Sequence, residues 1–311
     1  MIKEFVWFRG GLVRRESAMV SIFSPAAQFG LNVFEGLRAY WNEEDQELFI
    51  VELDLHINRL FESAKIVGFK IPLSVNKIKS IIFDTLKKND VREDVYIRLN
   101  AFVDGEGETS WFHSSPVEMY VYLTAKHRKV SEELTGASIN VVSWERISER
   151  SMPPRCKLGA NYINSRYGQL EANSKGYDLP VFLNVEGNIS ESAGSCIFLV
   201  RDKCLITPTT SCDILDSITR RLIIEIALEN AMEVDERIVQ KSELRLADEI
   251  FLCGTSAELI PVTSVDGSCV GNGQVGPTTI NLFEAYIALV TNFGSSITPV
   301  YAITHKDGDR I

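Results

Sequence analysis

The chain has 311 residues, of which 45% are hydrophobic and 24% are charged. Its 32 Lys and Arg residues against 42 Asp and Glu residues give a formal net charge of −10, and no short segment concentrates the cations. This balance argues against nucleic acid or an anionic membrane as the main partner. No stretch reaches the roughly 20 apolar residues that cross a bilayer, and the length favours a globular protein of two domains.

Strand and helix signals alternate from the N-terminus. Residues 4–8 predict the first strand of a hairpin, with Arg9-Gly10-Gly11 as its turn, because adjacent glycines accept the positive φ of a tight loop. Asp54 is expected to cap a helix that stops at Gly68, and Ser74 is expected to cap a second helix.

Apolar and polar residues then alternate from residue 95 to residue 102, which predicts a strand. One face of it carries Tyr96, Arg98, Asn100 and Phe102. This face is either a pocket wall or the solvated side of an antiparallel sheet. Another strand is expected at 119–123, and the polar stretch after it is a linker candidate. We therefore expect a small N-terminal domain at 1–125, a linker at 126–136 and a larger domain at 137–311.

The second half also mixes strands and helices. The pattern predicts a strand at 137–144, a helix from Tyr162 to near Gly176, hairpins at 180–189 and 197–206, a helix at 217–230, a strand at 248–253 and a helix at 281–290. Nothing suggests a regular β-α-β succession, so the expected fold class is α+β.

Four places carry candidate chemistry. Lys157 stands among small and apolar residues before a helix, and a lysine in such surroundings can act as an amine nucleophile, although most single lysines are surface residues. Ser217-Ile218-Thr219 opens a helix, which suits a phosphate, yet capping by the serine explains it equally well. Gly254-Thr255-Ser256 is either an anion nest or a plain turn, and Glu191 points either into a cavity or into solvent.

Metal and dinucleotide motifs are not found in the sequence. The six cysteines are spread without a Cys-x-x-Cys pair, and the four histidines are scattered, so no metal site is expected. In a chain of this size the cysteines are expected to be reduced thiols, which favours a cytoplasmic protein.

The same places occur in the order of a known family. The sequence resembles the class IV pyridoxal-phosphate (PLP) aminotransferases, and most closely the branched-chain amino acid aminotransferases. The resemblance covers nearly the whole chain through short motifs that form a specific ordered set: Val33-Phe34-Glu35-Gly36-Leu37-Arg38-Ala39-Tyr40, His56-x-x-Arg59-Leu60-x-x-Ser63-Ala64, Tyr96-Ile97-Arg98, Lys157-x-x-x-Asn161-Tyr162, Ser190-Glu191-Ser192, Ile214-Leu215-x-x-Ile218-Thr219-Arg220, Ala247-Asp248-Glu249 and Gly254-Thr255-x-Ala257-Glu258-x-x-Pro261-Val262.

The resemblance implies the two-domain fold type IV of PLP enzymes, as in D-amino acid aminotransferase, with a smaller N-terminal α/β sandwich and a larger C-terminal domain that has a barrel-like sheet. It implies that Lys157 forms the Schiff base with PLP and carries the proton to and from the substrate Cα. Tyr162 would bind the phenolic oxygen of the cofactor, and Glu191 its pyridine nitrogen. The phosphate would be bound by Arg59, Ile218, Thr219 and Thr255.

For the substrate, the resemblance implies an L-amino acid and a 2-oxo acid such as 2-oxoglutarate. The implied substrate-binding residues are Phe29, Phe34, Tyr96, Arg98, Thr255 and Ser256, with Phe29 contributed by a partner subunit in a homodimer or a higher homo-oligomer. The family usually has Gly at Ser217, Tyr at Phe29 and Asn at Cys196. These departures concern the preferred substrate and not the transfer chemistry.

Two alternatives remain open from the sequence. The first is another enzyme of this fold: a D-amino acid aminotransferase, an (R)-selective amine transaminase or aminodeoxychorismate lyase. Asn100 stands where the D-amino acid enzymes typically carry a histidine, and the lyases generally lack the Phe-Glu-Gly-x-Arg found here at 34–38. The second is a non-catalytic PLP-binding protein, because fold alone does not give function.

Overall fold

The computed structural model describes residues 1–105, 115–291 and 300–304. Contacts divide the chain into two compact units. The first unit contains the described residues of Met1–Arg128, the segment Cys156–Ala160 and the described residues from Leu289 onward. The second unit contains Lys129–Arg155 and Asn161–Ala288.

In chain order the described strands are β1 Phe5–Phe8, β2 Gly11–Arg14, β3 Asn32–Asn42, β4 Glu47–Val51, β5 Val95–Val103, β6 Val117–Ala125, β7 Ala137–Glu145, β8 Leu179–Leu183, β9 Ile189–Ser192, β10 Cys196–Arg201, β11 Cys204–Pro208, β12 Glu233–Arg237, β13 Glu249–Gly254, β14 Glu258–Val265, β15 Ser268–Cys269 and β16 Val300–Thr304. The described α-helices are α1 Pro25–Phe29, α2 Leu53–Val67, α3 Val75–Lys88, α4 Tyr162–Ser174, α5 Ile218–Glu229 and α6 Pro277–Thr291. No helix among these residues is long and apolar enough to cross a membrane.

The compact units differ from the expected domains in two segments assigned to 137–311. The segment Cys156–Ala160 clusters with the first unit, where Leu158 forms a bridge with Val33 of β3. The strand β16 pairs with β4 and so extends the first sheet. Both differences arise from pairing between residues far apart in sequence, which local patterns do not report. The expected linker at 126–136 is also divided between the two units, because the first segment of the first unit ends at Arg128 and the second unit begins at Lys129.

In the first unit the described strands form an antiparallel sheet in the order β16-β4-β3-β5-β6-β1-β2. The expected alternation in β5 is confirmed: Val95, Ile97, Leu99 and Ala101 are buried in the core with apolar residues of α2 and α3. The other face of β5 carries Tyr96 and Arg98, and register places Arg98 beside Gly36 of β3. The core therefore fixes the face from which these polar side chains project.

Local signals at the predicted turns and caps are mostly confirmed. The β1-β2 hairpin forms, but the residues with positive φ are Arg9 and Gly10 rather than the two glycines. Ser74 caps α3 and accepts a hydrogen bond from the Lys77 N–H, and Gly68 ends α2 at φ 88°. The expected cap at Asp54 is wrong, because α2 begins one residue before it.

In the second unit the described strands form a mixed sheet in the order β12-β11-β10-β13-β14-β7-β8-β9, with β15 paired to β14. This sheet curls as a half-barrel, and apolar residues of its strands form the core. The helix α5 begins directly after Ser217, whose hydroxyl accepts from the Arg220 N–H at 3.2 Å. The expected α+β fold, with one sandwich-like and one barrel-like part, is confirmed.

Candidate functional site

The segment that carries Lys157 is held against β3 and α2 within the first unit. The N–H of Phe34 donates to the carbonyl of Lys157 at 3.0 Å, and Leu158 pairs with Val33. The N–H of Lys157 donates to Oγ of Ser63 at 3.1 Å, and Ser63 is fully buried. The backbone of the lysine is therefore bonded on both sides, so its side chain starts from a fixed point.

A glycine and an asparagine pair allow this close approach. A Cβ at Gly159 would lie 2.6 Å from Nδ2 of Asn32, so any larger residue would displace the segment. Asn32 is itself held by Asn100, whose Nδ2 donates to Oδ1 of Asn32 at 3.0 Å. The ε-amino nitrogen of Lys157 lies 5.0 Å from the centroid of the Phe34 ring. The amine thus faces an aromatic surface that the substrate is expected to contact.

Phe34, Tyr96 and Arg98 lie together on one face of the first sheet. The guanidinium carbon of Arg98 is 4.1 Å from the Phe34 ring centroid and 5.6 Å from that of Tyr96. The Nε of Arg98 is buried and has no hydrogen-bond partner among the described residues. Gly36 is required here, because a Cβ would collide with the Tyr96 hydroxyl. This face combines aromatic surface with a cation, as a pocket for amino acid side chains needs.

Arg59 belongs to a buried cluster with Glu35 and His56. Its Nε and Nη2 donate to the two oxygens of Glu35 at 2.7 Å and 2.9 Å, and Nδ1 of His56 lies 2.7 Å from Oε2 of Glu35. Glu35 is fully buried, His56 is 2% exposed and Arg59 is 9% exposed. The two-point contact fixes the plane of the guanidinium, which is the group expected to bind phosphate.

Opposing effects set the pKa of Glu35. Burial alone would raise it, but the charge of Arg59 and hydrogen bonds from His56 and Arg59 hold the pKa well below its ordinary value. Burial lowers the pKa of His56 despite the nearby carboxylate. Because a carboxylate only accepts, the proton between the two groups sits on Nδ1 of a neutral His56. The cluster is thus one cation paired with one anion.

In the second unit Glu191 is a buried carboxylate, 4% exposed, at the end of β9. Nη2 of Arg146 donates to its Oε1 at 2.5 Å, and the Leu215 N–H donates to the same oxygen at 3.3 Å. The Sγ of Cys196 lies 3.8 Å from Oε2. Burial first, and the charge of Glu191 second, raise the pKa of the Cys196 thiol well above its ordinary value, so the thiol stays neutral.

The expected phosphate ligands of the second unit also come together. The hydroxyls of Thr219 and Thr255 are 3.3 Å apart, where the first turn of α5 meets the end of β13. Ile218 is the first residue of α5, and the first N–H groups of a helix have no partner within the preceding turn. A Cβ at Gly254 would lie 3.1 Å from the Gly194 carbonyl oxygen, so two backbone segments approach closely beside these hydroxyls.

The remaining predicted residues occupy separate positions. Tyr162 is half-buried at the start of α4, and Ser256 is exposed in the turn after β13. Phe29 ends α1 and is 55% exposed. The individual roles assigned to these residues, to the phosphate ligands and to Glu191 remain predictions.

Each unit carries groups whose chemistry fits a part of pyridoxal phosphate. The first unit has an amine on an ordered segment, which suits an aldehyde. The second unit has a buried carboxylate, paired threonine hydroxyls and a helix N-terminus, which suit a ring nitrogen and a phosphate dianion. By contrast, no group of three metal-ligating side chains occurs within residues 1–105 and 115–291.

Several residues of the site were not identified as functional from the sequence. Glu35, His56 and Ser63 appear only as letters of the family motifs, and their contacts join α2 to β3 and to the lysine segment. Arg146 lies in none of the family motifs, and its carboxylate partner, Glu191, is 45 residues further along the chain. The available signal for Glu35 is a charged residue in a strand of mostly apolar residues, a feature that it shares with Arg38.

Replacing Glu35 by Gln tests the energetic role of this cluster. The change leaves a buried guanidinium without its anion, so we expect the free energy of unfolding at pH 7 to fall by about 3–5 kcal/mol. The folded-state pKa of Glu35 is lowered, so its contribution is complete above the ordinary Glu pKa of about 4.3 and is lost as the pH falls below it. Urea unfolding from pH 7 to pH 3 should show the difference narrowing below about pH 4.

The matched control is Glu62→Gln, which changes an exposed carboxylate on the same helix. We expect that variant to stay within about 0.5 kcal/mol of the unchanged protein. A Glu35→Gln protein of unchanged stability at pH 7, or one whose deficit is independent of pH, would contradict the charge pairing.

Comparisons with known proteins agree with this geometry. The family model described as amino-transferase class IV matches residues 32–265. A probable branched-chain-amino-acid aminotransferase of Aquifex aeolicus is 35% identical over 305 residues, which cover 96% of this chain and 97% of that protein.

Solved structures are similar over the same extent. The branched-chain amino acid aminotransferase of Thermobaculum terrenum in its PLP form has a TM-score of 0.89 and 37% identity, with 94% of this chain and 96% of that chain covered. The T.th. enzyme complexed with N-(5′-phosphopyridoxyl)-L-glutamate has a TM-score of 0.87 and 32% identity, with 93% and 94% covered. The chain therefore belongs to the class IV aminotransferases, a family of PLP-dependent enzymes.

Proposed function

We propose that the chain transfers an amino group between L-amino acids with branched or related hydrophobic side chains and a 2-oxo acid such as 2-oxoglutarate, with pyridoxal phosphate as cofactor. The observation that carries the proposal is Lys157, an amine on a segment whose backbone is bonded to β3 and α2. Relatives that share almost the whole length of the chain are named branched-chain amino acid aminotransferases.

Each residue of the site would have a separate role in binding the cofactor or in proton transfer. When bound, pyridoxal phosphate supplies the electron sink for negative charge at the substrate Cα. Lys157 would hold the cofactor through its amine and later carry the proton at Cα, while Glu191 would hold a proton on the ring nitrogen. Tyr162 would bind the phenolic oxygen, and the phosphate would be bound by Arg59, Ile218, Thr219 and Thr255.

The face of the first sheet supports a pocket that would accept two kinds of side chain. Phe34 and Tyr96 offer aromatic surface to a branched aliphatic group. Arg98 stacks on that surface and has a buried Nε without a partner among the described residues, so it suits the second carboxylate of glutamate or 2-oxoglutarate. The α-carboxylate would meet the N–H groups of Thr255 and Ser256.

We also propose that the chain acts as a homodimer or a larger homo-oligomer, to which Phe29 contributes. The segment before β3 exposes large apolar side chains that water does not favour: Met19, Ile22 and Phe23 are 72%, 76% and 58% exposed. A second such surface lies on α4, where Ile163, Tyr167 and Leu170 are exposed and the ring centroids of Trp144 and Tyr167 stack 4.7 Å apart.

A cytoplasmic location remains a proposal based on cysteine usage.

The oligomer is tested by replacing Ile22 with Asp and Phe23 with Ser together. Charge and polarity on a surface that a second copy covers should shift the assembly toward the monomer. Light scattering after size-exclusion chromatography should give a multiple of the chain mass for the unchanged protein and a lower mass for the variant. The control Ile66→Ser alters an exposed apolar residue of α2 and should keep the assembly, and a monomeric unchanged protein would contradict the proposal.

The substrate assignment is tested by single-turnover half-reactions followed by the visible absorption of the bound cofactor. The unchanged protein should convert with L-leucine and L-glutamate and stay unchanged with D-alanine. Arg98→Met should slow the L-glutamate reaction by roughly 30-fold or more, because a desolvated charge pair is worth at least about 2 kcal/mol, and should leave L-leucine nearly unaffected.

The control Arg92→Met removes an exposed arginine just before β5 and should change neither rate. Conversion with D-alanine alone would transfer the assignment to D-specific enzymes of the same fold. Equal losses with both L-amino acids in Arg98→Met would contradict a role for Arg98 in discriminating side chains.

A further inference from the structure

Arg146 forms a buried ion pair with the carboxylate that is expected to face the cofactor ring. Arg146 is 8% exposed and Glu191 is 4% exposed, and their closest N and O atoms are 2.5 Å apart. A buried carboxylate without a cation would tend to take up a proton, because burial penalises the charged form. Arg146 supplies a positive charge beside this carboxylate.

The surroundings of Arg146 hold its side chain in place. Its N–H donates to the carbonyl of Leu183 in β8 at 2.8 Å, which ties the end of β7 to the neighbouring strand. Its Nη1 donates to Oδ1 of Asn164 at 3.3 Å, and its guanidinium carbon lies 5.9 Å from the Phe182 ring. These neighbours are neutral, and Glu191 is the carboxylate with which Arg146 forms an ion pair among the described residues.

The other groups around Glu191 do not replace this charge. The Leu215 N–H is a neutral donor at 3.3 Å, and Cys196 offers a thiol, which is a weak donor, at 3.8 Å. Asp213 also senses the charge of Arg146, although burial has the larger effect on its pKa and raises it, and its carboxylate accepts a hydrogen bond from the Glu149 N–H at 3.3 Å. Among the described hydrogen bonds, Arg146 is the cation in contact with Glu191. A second buried arginine, Arg220, acts on the nearby Cys196 and Cys253 thiols and is itself paired with Glu236.

We propose that Arg146 is a positioning residue that keeps Glu191 ionised, so that the proton shared with the cofactor ring stays on the nitrogen. This inference rests on the proposed function. A proton between a carboxylate and a pyridine nitrogen can reside on either atom, and a cation beside the carboxylate favours the ionised carboxylate. A protonated ring accepts electrons from the substrate Cα more readily than a neutral one. Arg146 would therefore affect the rate of amino-group transfer without contacting the substrate.

The test uses pyridoxal phosphate labelled with ¹⁵N at the ring nitrogen, bound to the full-length protein. The nitrogen resonance distinguishes a protonated ring from a neutral one without reference to turnover. In the unchanged protein it should report the protonated ring. In Arg146→Gln, which keeps a donor and removes the charge, it should move toward the neutral position. Turnover should fall by about 10- to 100-fold, by analogy with the loss of hydrogen-bond partners of metal ligands.

Two variants separate charge from structure. Arg146→Lys keeps the charge and should restore the protonated signal at least in part. Arg146→His should switch the signal within one folded protein, protonated near pH 6 and neutral near pH 8, because histidine titrates in that range. This second variant keeps the test decisive if Arg146→Gln fails to fold, and Arg150→Met, which removes an exposed arginine in the same unit, is the control.

A ring nitrogen that stays protonated in Arg146→Gln and at both pH values in Arg146→His would overturn the inference. An unchanged protein that converts L-amino acids but holds a neutral ring would also overturn it, while leaving the proposed function intact. An unchanged protein that takes up no pyridoxal phosphate would refute the proposed function and this inference with it.

Discussion

The attachment of residues 156–160 to β3 and α2 is the constraint on which the proposed chemistry depends. These five residues stand between segments of the second unit in sequence, yet they cluster with the first. Hydrogen bonds from the Phe34 N–H and to the Ser63 hydroxyl hold the backbone of Lys157 on both sides. An amine that must hold a cofactor and then move a proton needs such a fixed origin, because small misplacements cost large factors in rate.

One buried carboxylate in each unit is paired with a buried arginine. Glu35 is paired with Arg59, and Glu191 is paired with Arg146, each at hydrogen-bond distance. Ion pairs of this kind add little stability compared with well-packed apolar residues, and losing one partner is costly. The two pairs therefore serve orientation and protonation state more than stability. Glu35 orients the guanidinium of Arg59, which is expected to bind the phosphate, and Arg146 is proposed to keep the carboxylate of Glu191 ionised beside the cofactor ring.

Features with short-range causes could be predicted from the sequence. The alternation of β5, the Ser74 cap and the Ser217 start of α5 depend on neighbours within a few residues, and all three are confirmed. The cap at Asp54 was wrong, because α2 starts at Leu53 after a residue with φ 48°. A preference for capping residues does not locate a helix start to one position.

Contacts between distant residues could not be predicted in this way. The pairing of β16 with β4 and the bridge from Leu158 to Val33 follow from tertiary packing, and they move two segments out of the expected C-terminal domain. Arg146 has no local signal at all. The family motifs marked most of the site residues, but they did not reveal that Arg59 is held by Glu35, because a motif records residues and not their contacts.

The most direct measurement of the central claim is to identify the lysine that holds the cofactor. Borohydride reduction of the protein loaded with pyridoxal phosphate fixes the cofactor to that side chain, and mass spectrometry of the peptides then locates it. We expect the modification on Lys157 alone, and we expect it to be lost when the protein is first treated with an L-amino acid that it converts. Modification of another lysine, or of none, would contradict the role of Lys157.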